Sequence, residues 1–412
     1  MEILGVLIVF TLVFLFLLLS WIPEQYYSLK NKIILLILFI ILLIFGLFIY
    51  LYLANKGIKN WIYKQKIIDS IEKSLISIGA FEENDSNLVL LPKIKVLQDT
   101  KTIEISLRNV SIRSKLDRVE DIISTALPCN LVANKVYMTK NQAFLLIEYI
   151  DLNENNRIIF KTPNEFVSKV KSLSYSSLLL DNDVSIDLRD NPHILITGGT
   201  GSGKSYYANQ IVLQALIKGY QVSILDYKRS YQVYRKHCQV AFTVEDIHSL
   251  LSATIEELHK RQEEMDSILE SNPNALAIEH GYPVHLVVFE EYLALVNSGA
   301  DKKVLADIEK KILEITTTGR ALGIHILMIM QQSSATTVST SIRANLSCKL
   351  VFGSAPKSIL ETTFGIGSVP SISTKFEKGE GLGTFDIDIF TFQAPTFDFK
   401  ITDILKMLDA NK

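Results

Sequence analysis

Gly198-Gly199-Thr200-Gly201-Ser202-Gly203-Lys204-Ser205 decides how the rest of this chain is read. The octapeptide matches the phosphate-loop pattern G-x-x-x-x-G-K-[ST] in full. On its N-terminal side, His193-Ile194-Leu195-Ile196-Thr197 is an apolar strand-like run. On its C-terminal side, Tyr207, Ile211, Val212, Ala215 and Leu216 recur at helical spacing. A strand, a glycine-rich turn and a helix are the context this chemistry requires. Glycines let backbone N–H groups close around phosphates, and the helix N-terminus adds the positive end of its dipole. In that layout Gly198, Gly199, Thr200, Gly201, Ser202 and Gly203 cradle ATP, Lys204 reaches its outer phosphates, and Ser205 ligates Mg²⁺.

Such a loop needs an acidic partner. His285-Leu286-Val287-Val288-Phe289 is a buried-type strand that runs into Glu290-Glu291-Tyr292. An acid at the end of a strand holds the Mg²⁺ shell, and the next one polarises the attacking water. Glu290 takes the metal-side position, where Asp is usual, and Glu291 the water-activating one. From His193 onward strand-like and helix-like segments alternate, which indicates an α/β domain with a largely parallel sheet. Ser176–Leu180 and Val184–Leu188 flank a turn at Asp181-Asn182-Asp183 and read as a hairpin leading into it.

Upstream, Ile3–Ile22 and Ile33–Leu53 are apolar runs of the length that crosses a bilayer as helix. They predict a two-span anchor over residues 1–55. The lysines at 56, 59, 64 and 66 place both termini in the cytoplasm by the positive-inside rule, giving a multi-pass plasma-membrane protein with a cytoplasmic motor. Residues 56–175 read as a stalk helix, Trp61–Ile78 ended by Gly79, and a small α+β module. Its expected strands are Leu88–Val96, Thr102–Leu107, Val132–Met138 and Ala143–Tyr149, with a helix over Asp117–Leu127. Residues 176–412 form the motor. The expected fold is therefore α/β, a RecA-like P-loop NTPase domain with a mostly parallel sheet, preceded by a small α+β domain and two transmembrane helices.

Composition sets the bounds. The 412 residues are 48 % hydrophobic and carry a net charge of −2, so no global basic field advertises nucleic acid. The three cysteines, Cys129, Cys238 and Cys348, show no metal-ligand spacing and no disulfide framework, which fits a reducing compartment.

Further motifs complete a resemblance. Asn191-Pro192-His193 leads into the phosphate loop; Ile224-Leu225-Asp226-Tyr227-Lys228-Arg229 ends the next strand; Leu258-His259-Lys260-Arg261 lies on a helix. Thr318-Gly319-Arg320-Ala321-Leu322-Gly323-Ile324-His325 opens a strand that ends at Gln331. Ile342-Arg343-Ala344-Asn345 and Lys378-Gly379-Glu380-Gly381 come later in the chain. In this order, over about 176–385, the motifs resemble the FtsK/SpoIIIE family of hexameric ATP-driven DNA translocases. Tyr227, Glu290, Gln332 and Ser333 depart from that family's usual Pro, Asp, Arg and Pro.

The resemblance implies ATP and Mg²⁺ as cofactors, DNA as cargo and a homo-hexameric ring. It implies catalytic roles for Lys204, Glu291, Arg320 and Gln331, with Arg320 acting on a neighbour's ATP and Arg343 as the other candidate. Two spans and a chain that ends soon after the motor are similar to the TcpA-like coupling proteins of Gram-positive conjugative elements, without a winged-helix reader. That likeness adds a relaxase, conjugation-channel proteins and the membrane as partners. A secretion motor for protein cargo, a partitioning motor and a weakly hydrolysing nucleotide-binding adaptor are the competing readings.

Overall fold

The computed structural model describes residues 57–83, 89–98, 100–107, 126–128, 131–151, 157–182, 184–331, 338–365, 376–386 and 388–410, together with 41 and 46. They divide into two compact units, one within 1–128 and 138–146, the other comprising 129–137 and 147–412.

The first unit is organised by a helix over 57–77. Ile67, Ile71 and Leu75, four apart, are its buried stripe, while Ile58, Trp61 and Ile62 stay exposed. Gly79 adopts φ +68° just beyond its end, a left-handed stop that glycine takes without strain. The strands Ile94–Leu97 and Thr102–Ser106 pair antiparallel. Ile103, Ile105 and Leu107 bury alternately, as the sequence pattern predicts. The single strand expected over Leu88–Val96 is instead two, Val89–Leu90 and Ile94–Leu97. Pro92 lies between them, and a residue without an N–H cannot continue a ladder.

The expected plasma-membrane location is corrected. Among the described residues no helix is long and apolar enough to cross a membrane. The 57–77 helix carries Lys59, Lys64, Lys66, Asp69, Glu72 and Lys73, charges on nearly every turn. The runs at 3–22 and 33–53 lie outside the described residues but for Ile41 and Gly46, as do 117–125 of the expected helix and the departures Gln332 and Ser333.

The second unit is built on an eight-stranded sheet in the order Gln239–Ala241, Gln221–Asp226, His285–Glu290, Ile324–Met330, Ile194–Gly198, Cys348–Phe352, Glu380–Phe385, Asp388–Gln393. The first six are parallel and the last two antiparallel. The central strands are apolar along their length because helices cover both faces; all seven residues of Ile324–Met330 are buried. One face packs under Lys204–Ile217, with Tyr207, Ile211 and Leu213 in the core. The other packs under Val244–Ser271 and Lys302–Leu322, through Leu251, Leu258, Ile308, Ile312 and Ile315. Each such aliphatic side chain contributes about 1.5–3 kcal/mol of transfer free energy. The expected hairpin forms, Ser177–Leu179 against Ser185–Asp187, with Val184 N–H donating to Asp181 Oδ1 at 2.8 Å in the turn.

At the edge of the sheet where the strands begin, one buried polar cluster is matched, although His193 Nε2 and both ring nitrogens of His325 lack a partner there. His285 bridges Ser223 Oγ (2.9 Å) and Glu257 Oε2 (2.8 Å), and Arg261 joins Glu257 to the Leu322 carbonyl. Burial opposes ionisation of Glu257, but His285 and then Arg261 outweigh it and hold the carboxyl at about 2. Arg261, on the motif helix, is therefore a structural anchor.

Candidate functional site

The opposite edge, where the strands end, is polar and only partly matched. Asp226 and Glu290 sit in direct register on neighbouring strands. Glu290 aligns with Ile329, and Met330 with Thr197 at the start of the phosphate loop. One strand, Ile324–Met330, thus separates the acidic strand from the loop strand, a lateral step of about 10 Å at the usual strand spacing. Buried side-chain atoms without a partner gather here: Thr197 Oγ1, Ser202 Oγ, Asp226 Oδ1, Tyr231 Oη and Glu290 Oε2. Buried polar atoms left open cost free energy unless a ligand supplies the missing contact.

Sterics dictate the loop itself. Gly198 has φ +149°, and a Cβ there would meet the Phe352 carbonyl oxygen at 2.6 Å. Gly203 has φ +107°, and its Cβ would lie 2.9 Å from Gly379 N. Gly201 is left-handed at φ +82°. Gly199 differs: a Cβ there meets nothing within 4 Å. Gly203 caps the 14-residue helix Lys204–Ile217 without any side-chain cap, so the first-turn N–H groups are left for an anion. Lys204 is buried at the first helical position, while Ser205 is exposed.

Segments whose place at this loop the sequence did not indicate brace it. Gly379 N–H donates to the Ser202 carbonyl at 2.7 Å, so the Lys378-Gly379-Glu380 turn lies directly against it. Arg157 holds that turn, donating to the Lys378 carbonyl (3.0 Å) and Glu380 Oε1 (3.3 Å). Tyr206, next in the helix, accepts from Phe397 N–H at 2.9 Å. Lys378-Gly379 was legible as a motif; Arg157, more than 200 residues away, left no local signal.

The acids are arranged unequally. Glu290 is 4 % exposed, and its carboxyl is raised to about 7. Burial is the main cause, then the charge of Asp226 and of Glu291, while the charge of Lys204 pulls it down. Tyr231 N–H donates to Asp226 Oδ2 at 2.7 Å. Glu291 stands in the left-handed region (φ 52°, ψ 66°), costly for a residue with a Cβ and common at functional sites. Its backbone N–H donates to the Ile329 carbonyl at 2.8 Å, and its carboxylate pairs with Lys228 Nζ at 3.1 Å.

The remaining candidates separate. The Gln331 carbonyl accepts from Gly198 N–H at 3.2 Å, so the residue adjoins the loop through its backbone, and its side chain is exposed. Arg320 lies before Ile324, at the edge where the strands begin, and its Nε donates to the Arg189 carbonyl at 2.8 Å. Arg343 donates to the Thr362 carbonyl at 3.1 Å, just before the strand Cys348–Phe352. Neither arginine is brought to the phosphate loop of its own chain, because a strand's length intervenes.

Residues Glu290 and Asp226 fit a divalent cation: two carboxyls in register, each with an orphaned oxygen, that of Glu290 raised by burial first and then by the charge of Asp226. Among the described residues no group of three or more His, Cys, Asp or Glu could hold a metal unaided. Mg²⁺ held partly by phosphate oxygens and water suits such an open donor set.

Parallel sheet, phosphate loop and strand-end acids define a P-loop ATPase domain. Within it, residues 169–272 match the FtsK/SpoIIIE family model. The DNA translocase FtsK of Borreliella burgdorferi is 22 % identical over 321 residues, 73 % of this chain and 37 % of that protein. The DNA translocase SftA of Bacillus subtilis is 30 % identical over 193 residues, 42 % of this chain and 19 % of that protein. The chain thus spans well under half the length of these relatives. Among solved structures, the pCW3 conjugation coupling protein TcpA, in monomer form with ATPγS, shares the fold with TM-score 0.53 at 20 % identity. The match covers 83 % of this chain and 99 % of that one.

Proposed function

We propose that this chain is an ATP-driven DNA translocase that serves as a coupling protein in conjugative DNA transfer. The observation that carries the reading is the strand-end edge itself: an uncapped helix N-terminus with Lys204, facing orphaned acids across one strand. That arrangement binds a polyphosphate and hydrolyses it. Lys204 lies where charge builds on the transferred phosphoryl group, and the loop N–H groups hold the phosphates in line. Glu291 orients a water and takes its proton as the water oxygen attacks the outer phosphorus and the bond to ADP breaks. Bound Mg²⁺ supplies charge neutralisation on the phosphate oxygens, with Ser205 and Glu290 as its holders. Residues 176–412 are the motor on this reading, and 56–175 a helix and α+β module that spaces or assembles it.

Support for DNA as cargo comes from the FtsK and SftA relatives, and for conjugation from the TcpA fold. A homo-hexameric ring with Arg320 reaching a neighbour's site accords with Arg320 lying far from its own. A relaxase and channel proteins are the partners this role requires. The test is ATP hydrolysis by the full chain with and without duplex and single-stranded DNA, followed by triplex-strand displacement. DNA-stimulated turnover with displacement supports a motor; turnover indifferent to DNA removes it.

A second reading has its own observation. Glu291, the acid next to the attacking water, is engaged by Lys228, which holds its carboxylate away from a proton-accepting role. A nucleotide-binding adaptor with weak hydrolysis has this signature. Tight nucleotide binding with negligible turnover, DNA present or absent, favours it.

A further inference from the structure

We infer that the loop leaving the strand Gln221–Asp226 is a contact surface for a phosphodiester backbone; this rests on the DNA-motor reading and assigns it a surface. The loop displays four exposed cations in nine residues, Lys228, Arg229, Arg235 and Lys236. Two converge on one ring: Arg229 Cζ lies 5.7 Å and Arg235 Cζ 5.6 Å from the Phe242 centroid. Among the described residues neither guanidinium has a carboxylate within ion-pair distance, unlike Arg189, which pairs with Asp187 at 2.7 Å.

The nearby acids are otherwise placed. Asp226 is buried and accepts from Tyr231 N–H, and Asp409 pairs with His237 at 3.6 Å. Glu245 and Asp246 sit in the first turn of Val244–Ser271, where the helix dipole favours them. Two like charges held at one aromatic ring repel, and an anion within reach of both converts that repulsion into attraction. A phosphate diester accepts hydrogen bonds from guanidinium groups.

The cations are also pre-positioned. Tyr231 and Tyr234 are fully buried, and the Tyr234 hydroxyl donates to Asn209 Oδ1 at 2.8 Å. The Arg229 turn is pinned by its N–H to the Asp226 carbonyl at 3.2 Å. Binding therefore orders little that is not already ordered. The same loop carries Lys228, whose ammonium pairs with Glu291, so an occupied loop lies one residue from the hydrolytic edge.

The experiment uses the full chain, a fluorescent duplex DNA of about 30 base pairs, and anisotropy titrations at several salt concentrations. Arg229→Glu with Arg235→Glu weakens DNA binding about tenfold or more. It lowers the slope of log K against log salt by roughly two, since two phosphate contacts are lost. ATP turnover without DNA is unchanged and its stimulation by DNA falls. Arg229→Lys with Arg235→Lys retains most of the affinity, and melting temperatures confirm that both variants fold. If the Glu variant binds DNA with the wild-type affinity and salt slope, the surface is refuted while the motor reading stands. If the wild type hydrolyses ATP but binds no DNA at any salt, the motor reading falls, and the phosphodiester surface with it.

Discussion

Lys228 Nζ lies 3.1 Å from Glu291 Oε2, joining an exposed loop to a buried carboxylate across two neighbouring strand ends. Lys228 is 41 % exposed and Glu291 only 6 %, so water screens the lysine more than its partner. Lys228→Met leaves the carboxylate buried and unpaired. The expected cost is about 1 kcal/mol, discounted for that screening, measured by urea unfolding. Glu291→Gln keeps the shape and removes the proton acceptor. ATP then stays bound with turnover reduced on the order of 10²–10³-fold, checked by filter binding and phosphate release.

Lys204 tests the loop. Lys204→Ala removes the one buried cation at the head of the helix, and hydrolysis falls on the order of 10³-fold or more. Alanine suits a helical position, so the melting temperature holds within a few degrees. Near-normal phosphate release from this variant excludes the loop from the chemistry.

Glu290 sets a pH dependence whose sign is opposite to the usual acid's. Its folded carboxyl titrates at about 7 against an ordinary value of 4.5. The folded protein therefore binds that proton more tightly than the unfolded chain. This stabilisation is full below about 4.5 and is lost as pH rises to about 7. Glu290→Gln abolishes that loss. In urea unfolding at pH 8 the variant exceeds the wild type by on the order of 2–3 kcal/mol, and the gap closes toward pH 5. A bound cation favours the ionised form, so binding of Mg²⁺ and nucleotide at pH 7 releases a proton from the wild type. Calorimetry in buffers of different ionisation enthalpy detects that release.

The glycines of the loop are not equivalent. Gly203→Ala forces a Cβ into Gly379 at φ +107°, costing about 1–3 kcal/mol and weakening nucleotide binding. Gly199→Ala meets open space and changes binding by less than about threefold. Melting curves with and without nucleotide compare the pair.

Arg320 tests assembly. Arg320→Ala and Lys204→Ala proteins are each expected to be inactive alone. Mixed rings contain interfaces with one intact phosphate loop and one intact Arg320, and these recover part of the activity. Mixed rings that recover nothing at any ratio exclude the trans role. In that case the bond to the Arg189 carbonyl is what the arginine is for.

The loop, its flanking strand and helix, the acids after His285–Phe289 and the α/β alternation were all legible in the sequence. They rest on local pattern: glycine at special backbone angles, apolar runs that only a doubly covered sheet accommodates, and helical spacing. Strand order was not legible and came from the tertiary fold alone. Placing Ile324–Met330 between the acidic strand and the loop strand sets the width of the site, and no local residue pattern encodes that choice. The fold also buried Glu290 and set Asp226 beside it, which together push its titration upward, and made Lys228 engage Glu291. It brought Gly379 onto the loop, and Arg157 onto the turn that carries Gly379, from opposite ends of the domain. It carried Arg320 to the far edge of the sheet. Charge and register act across space between residues distant in the chain, and period and composition record only what each residue does among its sequence neighbours.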